Sequence, residues 1–190
     1  TVAFQRLVEE NPLLQVTSVK ESETKRPRPT PLNTVELLKL ASKQLGMGPH
    51  QAMNAAERLY LSGYLSYPRT ESTSYPDSFD ISDALSVQTG NRVWGGYVSR
   101  LLENGYTRPK SGVDMGDHPP ITPVRPLEEG TGGDMERLYD LVTTHFIATV
   151  SPDAVFLSTK ISFASPSGEE FIASGRRMLR PGFLEVMEMP

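Results

Sequence analysis

The sequence predicts an α+β chain: a mainly helical domain with a helix-turn-helix-like unit, inserted into a β-strand domain. Three observations carry this. Apolar residues recur at helical spacing through the middle of the chain and alternate with period two towards its end. Strand-like sequence stands on both sides of the helical stretch. A proline-rich run separates the first strand from the first helix. The expected organisation is therefore a helical domain at 31–150 and flanking β segments at 1–30 and 151–190.

Residues 13–19, rich in β-branched side chains, read as a strand. Residues 25–31 carry Pro27, Pro29 and Pro31, which fix φ and remove donors, so this stretch reads as a linker. Its Lys25, Arg26 and Arg28 fit an exposed hinge or a contact to phosphate. A helix then opens with Asn33 as its cap, Glu36 as capping-box partner, and Leu32 and Leu37 as a hydrophobic staple. Val35, Leu38, Ala41 and Leu45 form its predicted apolar stripe, and Gly46 ends it. A second helix starts at Pro49, a favoured first position, and buries Ala52, Ala55, Ala56 and Leu59 before Gly63 stops it. The short Gly46-Met47-Gly48-Pro49 turn makes the pair resemble a helix-turn-helix. Further helices are predicted at 78–88, 93–104 and 134–150, the last with Leu138, Leu141, Val142, Phe146 and Thr149 at helical spacing. Beyond Ser151-Pro152 the period changes to two. Residues 156–163 and 171–174 read as a hairpin around Ser165-Pro166-Ser167-Gly168.

Composition sets limits. The chain has 190 residues, 37% hydrophobic and 22% charged, which is ordinary globular material. The absence of cysteine excludes disulfides and thiolate metal sites. No apolar run is long enough to span a bilayer. The net charge of −4 argues against a non-specific duplex binder, although a local basic groove is compatible with it. The chain opens on Thr1 amid strand-like sequence, and it reads as a piece of a longer protein.

The most informative segment is Tyr64-Leu65-Ser66-Tyr67-Pro68-Arg69-Thr70-Glu71-Ser72-Thr73. Pro68 pushes Tyr67 towards extended geometry, in which residues two apart project to the same face. Tyr67 and Arg69 then point the same way. A phenol beside a permanent cation suits attack on a phosphodiester, the oxygen as nucleophile and the guanidinium steadying phosphate charge. A free phenol has a pKa of about 10, so reaching the phenolate at neutral pH costs about 4 kcal/mol without help. Tyr64 and Tyr75 are the internal rivals. Tyr75 also precedes a proline but has no arginine two residues on.

The Tyr-Pro-Arg-Thr segment resembles the active-site segment of type IA DNA topoisomerases. The resemblance extends, in order, over Leu32-Asn33-Thr34-Val35-Glu36-Leu37-Leu38, Gly46-Met47-Gly48-Pro49, Ala55-Ala56-Glu57-Arg58-Leu59-Tyr60, Gly116-Asp117-His118-Pro119-Pro120-Ile121-Thr122-Pro123, Arg137-Leu138-Tyr139 and His145-Phe146-Ile147-Ala148-Thr149-Val150. These blocks look like the topoisomerase III branch, and most like its eukaryotic beta form. The match is weakest between residues 80 and 110.

The resemblance implies a strand-built arch carrying a mobile helical domain, with motion at the 25–31 linker and near Ser151-Pro152. It implies ATP-independent cleavage and resealing of single-stranded DNA, with RNA as an open alternative, through a 5′-phosphotyrosyl intermediate and strand passage. Tyr67 is then the nucleophile and Arg69 the ligand of the scissile phosphate or phenolate. His118 matches the family's active-site histidine and is a candidate for phosphate binding or proton handling. Asp117 is placed to fix its tautomer and Glu71 to orient Arg69. Ser66, Thr70 and Ser72 are candidate donors to the strand backbone, with turn or cap duty as the alternative. His50 and His145 are read as helix-packing residues. The family's Mg²⁺ site lies in a separate Toprim domain that nothing in this chain matches. No metal site and no cofactor are expected within the chain, and without that domain it is expected to be inactive. The implied partners are the Toprim domain of the same polypeptide and a Tudor-domain scaffold protein, in the nucleus with the cytoplasm as a second compartment. The rival reading is a non-catalytic helix-turn-helix nucleic-acid-binding module. A tyrosine recombinase fits poorly, because the chain lacks an array of basic residues around the tyrosine.

Overall fold

A computed structural model describes residues 13–187. The parts of the predicted flanking segments at 1–12 and 188–190 lie outside these. Element order is β1 (Gln15–Arg26), α1 (Thr34–Leu40), α2 (Pro49–Leu61), α3 (Ile81–Ser86), α4 (Gly95–Asn104), α5 (Gly133–Val150), β2 (Ala154–Ala164), β3 (Glu170–Arg180) and α6 (Leu184–Met187). This is an α+β chain in two compact units. One comprises the residues up to Arg26 with Ala154–Pro181, and the other Pro27–Asp153 with the residues from Gly182 on. No helix among the described residues is long and apolar enough to cross a membrane.

The β unit is one antiparallel sheet in the order β1-β2-β3. Lys20 faces Lys160 across the first pair, and Lys160 faces Ser174 across the second. A tight turn closes the β2–β3 hairpin, where the Ser165 N–H donates to the Glu169 carbonyl at 2.9 Å. Both outer strands run further than their sequence suggested. β1 continues through Lys25 and Arg26, so the predicted linker shrinks to the prolines. Ladder hydrogen bonds to Val155 and Ala154 outweigh the weak strand propensity of the charged residues. β3 runs on to Arg180 for the same reason.

In the helical unit, α5 is the central element. Leu138, Tyr139, Leu141 and Val142, and then His145 through Val150, are buried along it. Leu37, Leu59, Leu65, Leu85, Val98 and Ile121 are among the other buried core side chains. His145 is a packing residue as predicted. Its ring Nε2 lies 2.9 Å from the Thr30 carbonyl, and burial holds its pKa below the ordinary histidine value. His50 instead is exposed on α2, within 3.3 Å of Asn54. A chain of buried polar groups links Trp94 to Gln88 (3.2 Å), Gln88 to the Tyr139 hydroxyl (2.8 Å), and that hydroxyl to the Arg125 carbonyl (2.8 Å).

α1 begins as predicted, with the Asn33 side chain accepting from the Glu36 N–H at 2.9 Å. The reciprocal half of the capping box is absent, because Glu36 turns to Lys39 at 2.7 Å. Leu37 and Ala41 carry the buried face, whereas Val35 is exposed. Ala41–Leu45 widens into a π turn before Gly46 stops the helix in the left-handed region. α2 buries Ala52, Ala55, Ala56 and Leu59 as the thin apolar face foretold. The 78–88 helix contracts to α3, capped by Asp80, and the 93–104 helix starts at Gly95. Glycine is required there, because a Cβ would stand 2.2 Å from the Thr89 carbonyl oxygen.

Candidate active site

The tyrosine segment leaves α2 and runs extended between two neighbours. Its backbone groups need partners outside a regular sheet. Leu65 bridges Pro123, the Ser66 N–H donates to the Thr122 carbonyl at 2.9 Å, and the Val124 N–H donates to the Tyr64 carbonyl at 2.9 Å. On the other side the start of α1 holds it. The Thr34 hydroxyl accepts from the Thr70 N–H at 2.9 Å and donates to the Pro68 carbonyl at 2.7 Å.

Extended geometry sorts the side chains by parity. Pro68, Thr70 and Ser72 are buried, while Arg69 and Glu71 are exposed and Tyr67 is half-buried. Tyr67 and Arg69 turn to one ridge of α2. The Tyr67 ring meets Tyr60 edge-on, with centroids 5.2 Å apart, and Arg69 binds Glu57, three residues earlier on the same helix. The second neighbour of the Tyr67 ring is His118, 4.5 Å away and tilted by 58°. His118 is exposed, so both the phenol and the imidazole stand at the surface.

The rival tyrosines belong to the core. Tyr64 is buried under the Arg125 guanidinium, which lies 4.2 Å above its ring. Tyr75 is buried with its hydroxyl 3.0 Å from Thr149 Oγ1, and burial pushes its phenol well above the ordinary value.

The hydroxyls assigned to strand contact face inward. Thr70 Oγ1 donates to the His118 carbonyl at 2.6 Å and accepts from the Ser72 N–H at 3.1 Å. Ser72 Oγ donates to Asp117 at 2.7 Å. Ser66 Oγ accepts from the Thr122 N–H at 2.8 Å and lies 3.3 Å from the Pro120 carbonyl. Together they fasten the tyrosine segment to the loop that carries His118.

Asp117 also serves this clasp. Its carboxylate accepts from the Glu71 N–H at 2.8 Å and from the Ser72 hydroxyl. These two hydrogen bonds, the backbone one first, hold its carboxyl well below the usual carboxylate range. The carboxylate that orients Arg69 is Glu57, not Glu71. Sequence reasoning thus missed Thr34, Glu57 and Tyr60. The last two lie at i and i+3 in the Ala55–Tyr60 block, on the helix leading into the tyrosine segment.

Beside Arg69 opens a depression of about 660 Å³, lined by Asn33, Val35, Glu71, Met115 and Asp117. Among the described residues no group of three or more His, Asp or Glu side chains is placed to hold a metal ion.

Comparison with known proteins bears on the family and the fold. The family model described as DNA topoisomerase matches residues 2–190. The chain is 52% identical over 185 residues to DNA topoisomerase 3-beta of Arabidopsis thaliana, covering 97% of this chain and 21% of that protein. It is 51% identical over 174 residues to DNA topoisomerase 3-beta-1 of Homo sapiens, covering 91% of this chain and 20% of that protein. The chain thus spans about a fifth of the length of these curated relatives. In fold it resembles full-length topoisomerase I from Thermotoga maritima, with a TM-score of 0.73 at 23% identity over 98% of this chain and 32% of that one.

Proposed function

This chain belongs to the type IA DNA topoisomerase family, in its topoisomerase III branch, and from that premise we propose that it carries the nucleophile of a strand-cleaving and strand-resealing enzyme. The Tyr67 phenol oxygen attacks the phosphorus of a single strand of DNA. The bond from phosphorus to the 3′ oxygen breaks as the tyrosyl–phosphorus bond forms. The phenol proton is balanced by the proton taken up at the released 3′ oxygen. The number of phosphoester bonds is unchanged, so the 5′-phosphotyrosyl link keeps the energy needed for resealing and ATP is not required. A second strand passes through the gap before the reverse attack. RNA offers the same phosphodiester and is a second substrate on this reading.

The observation that supports this most is the contrast among Tyr64, Tyr67 and Tyr75. Tyr64 and Tyr75 are buried, while Tyr67 is half-buried between Tyr60 and His118. Arg69 projects from the same face and supplies a fixed cation for the phosphate. On this reading His118, whose ring lies against that of Tyr67, contacts the phosphate or handles the proton. Thr70, Ser72, Ser66 and Asp117 act by holding the segment and the His118 loop together.

The helical domain at 31–150 takes the part of the tyrosine-bearing domain of the family, and the flanking strands that of the arch. Mg²⁺ stabilises charge on the leaving oxygen in such reactions. Among the described residues no donor set fits the ion, and on this reading the Toprim domain of the full-length polypeptide holds it. A Tudor-domain scaffold protein is the proposed partner, and the nucleus, with the cytoplasm second, the proposed compartment.

Tyr67→Phe in the full-length polypeptide tests the reading. Covalent attachment to a labelled single-stranded oligonucleotide should vanish while strand binding is nearly unchanged. Adduct formation by the variant would refute the assignment, and loss of binding together with stability would make Tyr67 a structural residue.

A further inference from the structure

The Arg69 guanidinium is engaged by a carboxylate of α2. Its Nε donates to Glu57 Oε1 at 2.9 Å, and its Nη2 donates to the same oxygen. Neighbouring N–H donors of a guanidinium are also the ones that hold a phosphate in a bidentate pair. The pair lies in the open, with side-chain exposures of 58% for Arg69 and 39% for Glu57. An exposed pair of this kind contributes little to folding. Its position is the informative part. Glu57 stands one helical turn before Tyr60, whose ring touches the Tyr67 ring. The carboxylate therefore occupies the cation beside the Tyr60–Tyr67 ring pair. Two anions on one guanidinium repel each other, so one must give way.

Resting on the reading of Arg69 given above, we infer that Glu57 is an internal competitor for the strand. Its carboxylate neutralises Arg69 in the resting protein, and a nucleic-acid phosphate displaces it when the strand docks. Glu57 is a residue that sets strand affinity without touching the reacting atoms. A strand held also through its other phosphates offsets the exchange, whereas an isolated phosphate does not. When the resealed strand leaves, Glu57 recaptures the guanidinium and assists release.

The test measures binding of a fluorescent single-stranded deoxyoligonucleotide to the full-length polypeptide in EDTA, so that no turnover intervenes. Glu57→Gln should tighten binding by about two- to fivefold at low salt, the exchange of one exposed ion pair. The gain should shrink as salt screens the competing charges. Glu57→Ala should show the same gain, which separates charge removal from any effect of the amide. Arg69→Ala should weaken binding, and in that background Glu57→Gln should add nothing. Binding that is unchanged or weaker in the Glu57 variants, with Arg69→Ala still weakening it, overturns the competitor and leaves the reading of Arg69 intact. An equal gain with and without Arg69 also overturns it, since the effect is then only a change in net charge. No loss of binding in Arg69→Ala removes both the inference and the role of Arg69 on which it stands.

Discussion

The carboxylate of Asp117 accepts the hydroxyl hydrogen of Ser72 at 2.7 Å, tying the loop that carries His118 to the segment that carries Tyr67. The Glu71 N–H donates to the other oxygen of the same carboxylate at 2.8 Å. Asp117→Asn keeps the shape but turns an amide donor towards one of these two donors. The tyrosine segment then loses its fixed distance to the His118 ring. Misplacement by about an ångström can cost on the order of a hundredfold in rate. We expect Asp117→Asn to slow adduct formation by about ten- to a hundredfold while oligonucleotide binding stays within about twofold. Single-turnover cleavage on a gel reads both, and a wild-type rate would remove the clasp from the mechanism.

Tyr75 is expected to behave as a structural tyrosine. Its hydroxyl is paired with Thr149 in the core. Tyr75→Phe should leave adduct formation intact and lower stability by about 1 kcal/mol, the usual net worth of one buried hydrogen bond. Denaturant unfolding followed by an adduct assay on the same preparation checks both halves.

Asp140 makes stability depend on pH in a direction opposite to most carboxylates. Burial first, and then the charge of Glu136, raise its carboxyl to about 6. The folded pKa lies above the unfolded value of about 3.9. The group's contribution is therefore fully present below about pH 4 and is lost as pH rises through about 6. At neutral pH the fold holds a charge in a partly buried place. Solvent screens much of the penalty, leaving about 1 kcal/mol. Asp140→Asn should raise the melting temperature at pH 7 and leave it unchanged at pH 4. A gain of equal size at both pH values would contradict the electrostatic origin.

Gly112 is expected to tolerate no side chain. Its φ is +111°, and a Cβ there would lie 2.0 Å from the Thr73 carbonyl oxygen. The Val113 N–H donates to Thr73 Oγ1 at 3.0 Å, so the loop cannot move away without breaking that contact. Gly112→Ala should cost at least about 1–3 kcal/mol locally and expose the 111–118 loop to protease. Limited proteolysis with wild-type resistance would show that the loop relaxes at no cost.

Much of this was legible in the sequence. The Asn33 cap, the alanine face of α2 and the helical spacing around Phe146 each match a local rule, and local rules decide such elements. β1 and β3 ran past their predicted ends because pairing to β2 is non-local, and Lys25 or Arg177 carries no sign of a partner far along the chain. At the site, the extended geometry around Pro68 correctly paired Tyr67 with Arg69. The same alternation sends Thr70 and Ser72 to the opposite face, and applying it to them would have removed both from the strand contacts. The role of Glu57 was hidden, since a single helical carboxylate reads as a solvated face until the fold brings Arg69 to it. Asp117 was misread because adjacency to His118 in sequence suggested a contact with its ring, whereas the carboxylate bonds across the loop.

The central claim is that the phenol oxygen of Tyr67 bonds to phosphorus. The most direct measurement is to trap the full-length polypeptide on a single-stranded oligonucleotide, digest both components and locate the nucleotide remnant by mass spectrometry. The account predicts the remnant on the peptide containing Tyr67, attached through that side chain. A remnant on Tyr64, Tyr75 or any other residue would contradict it.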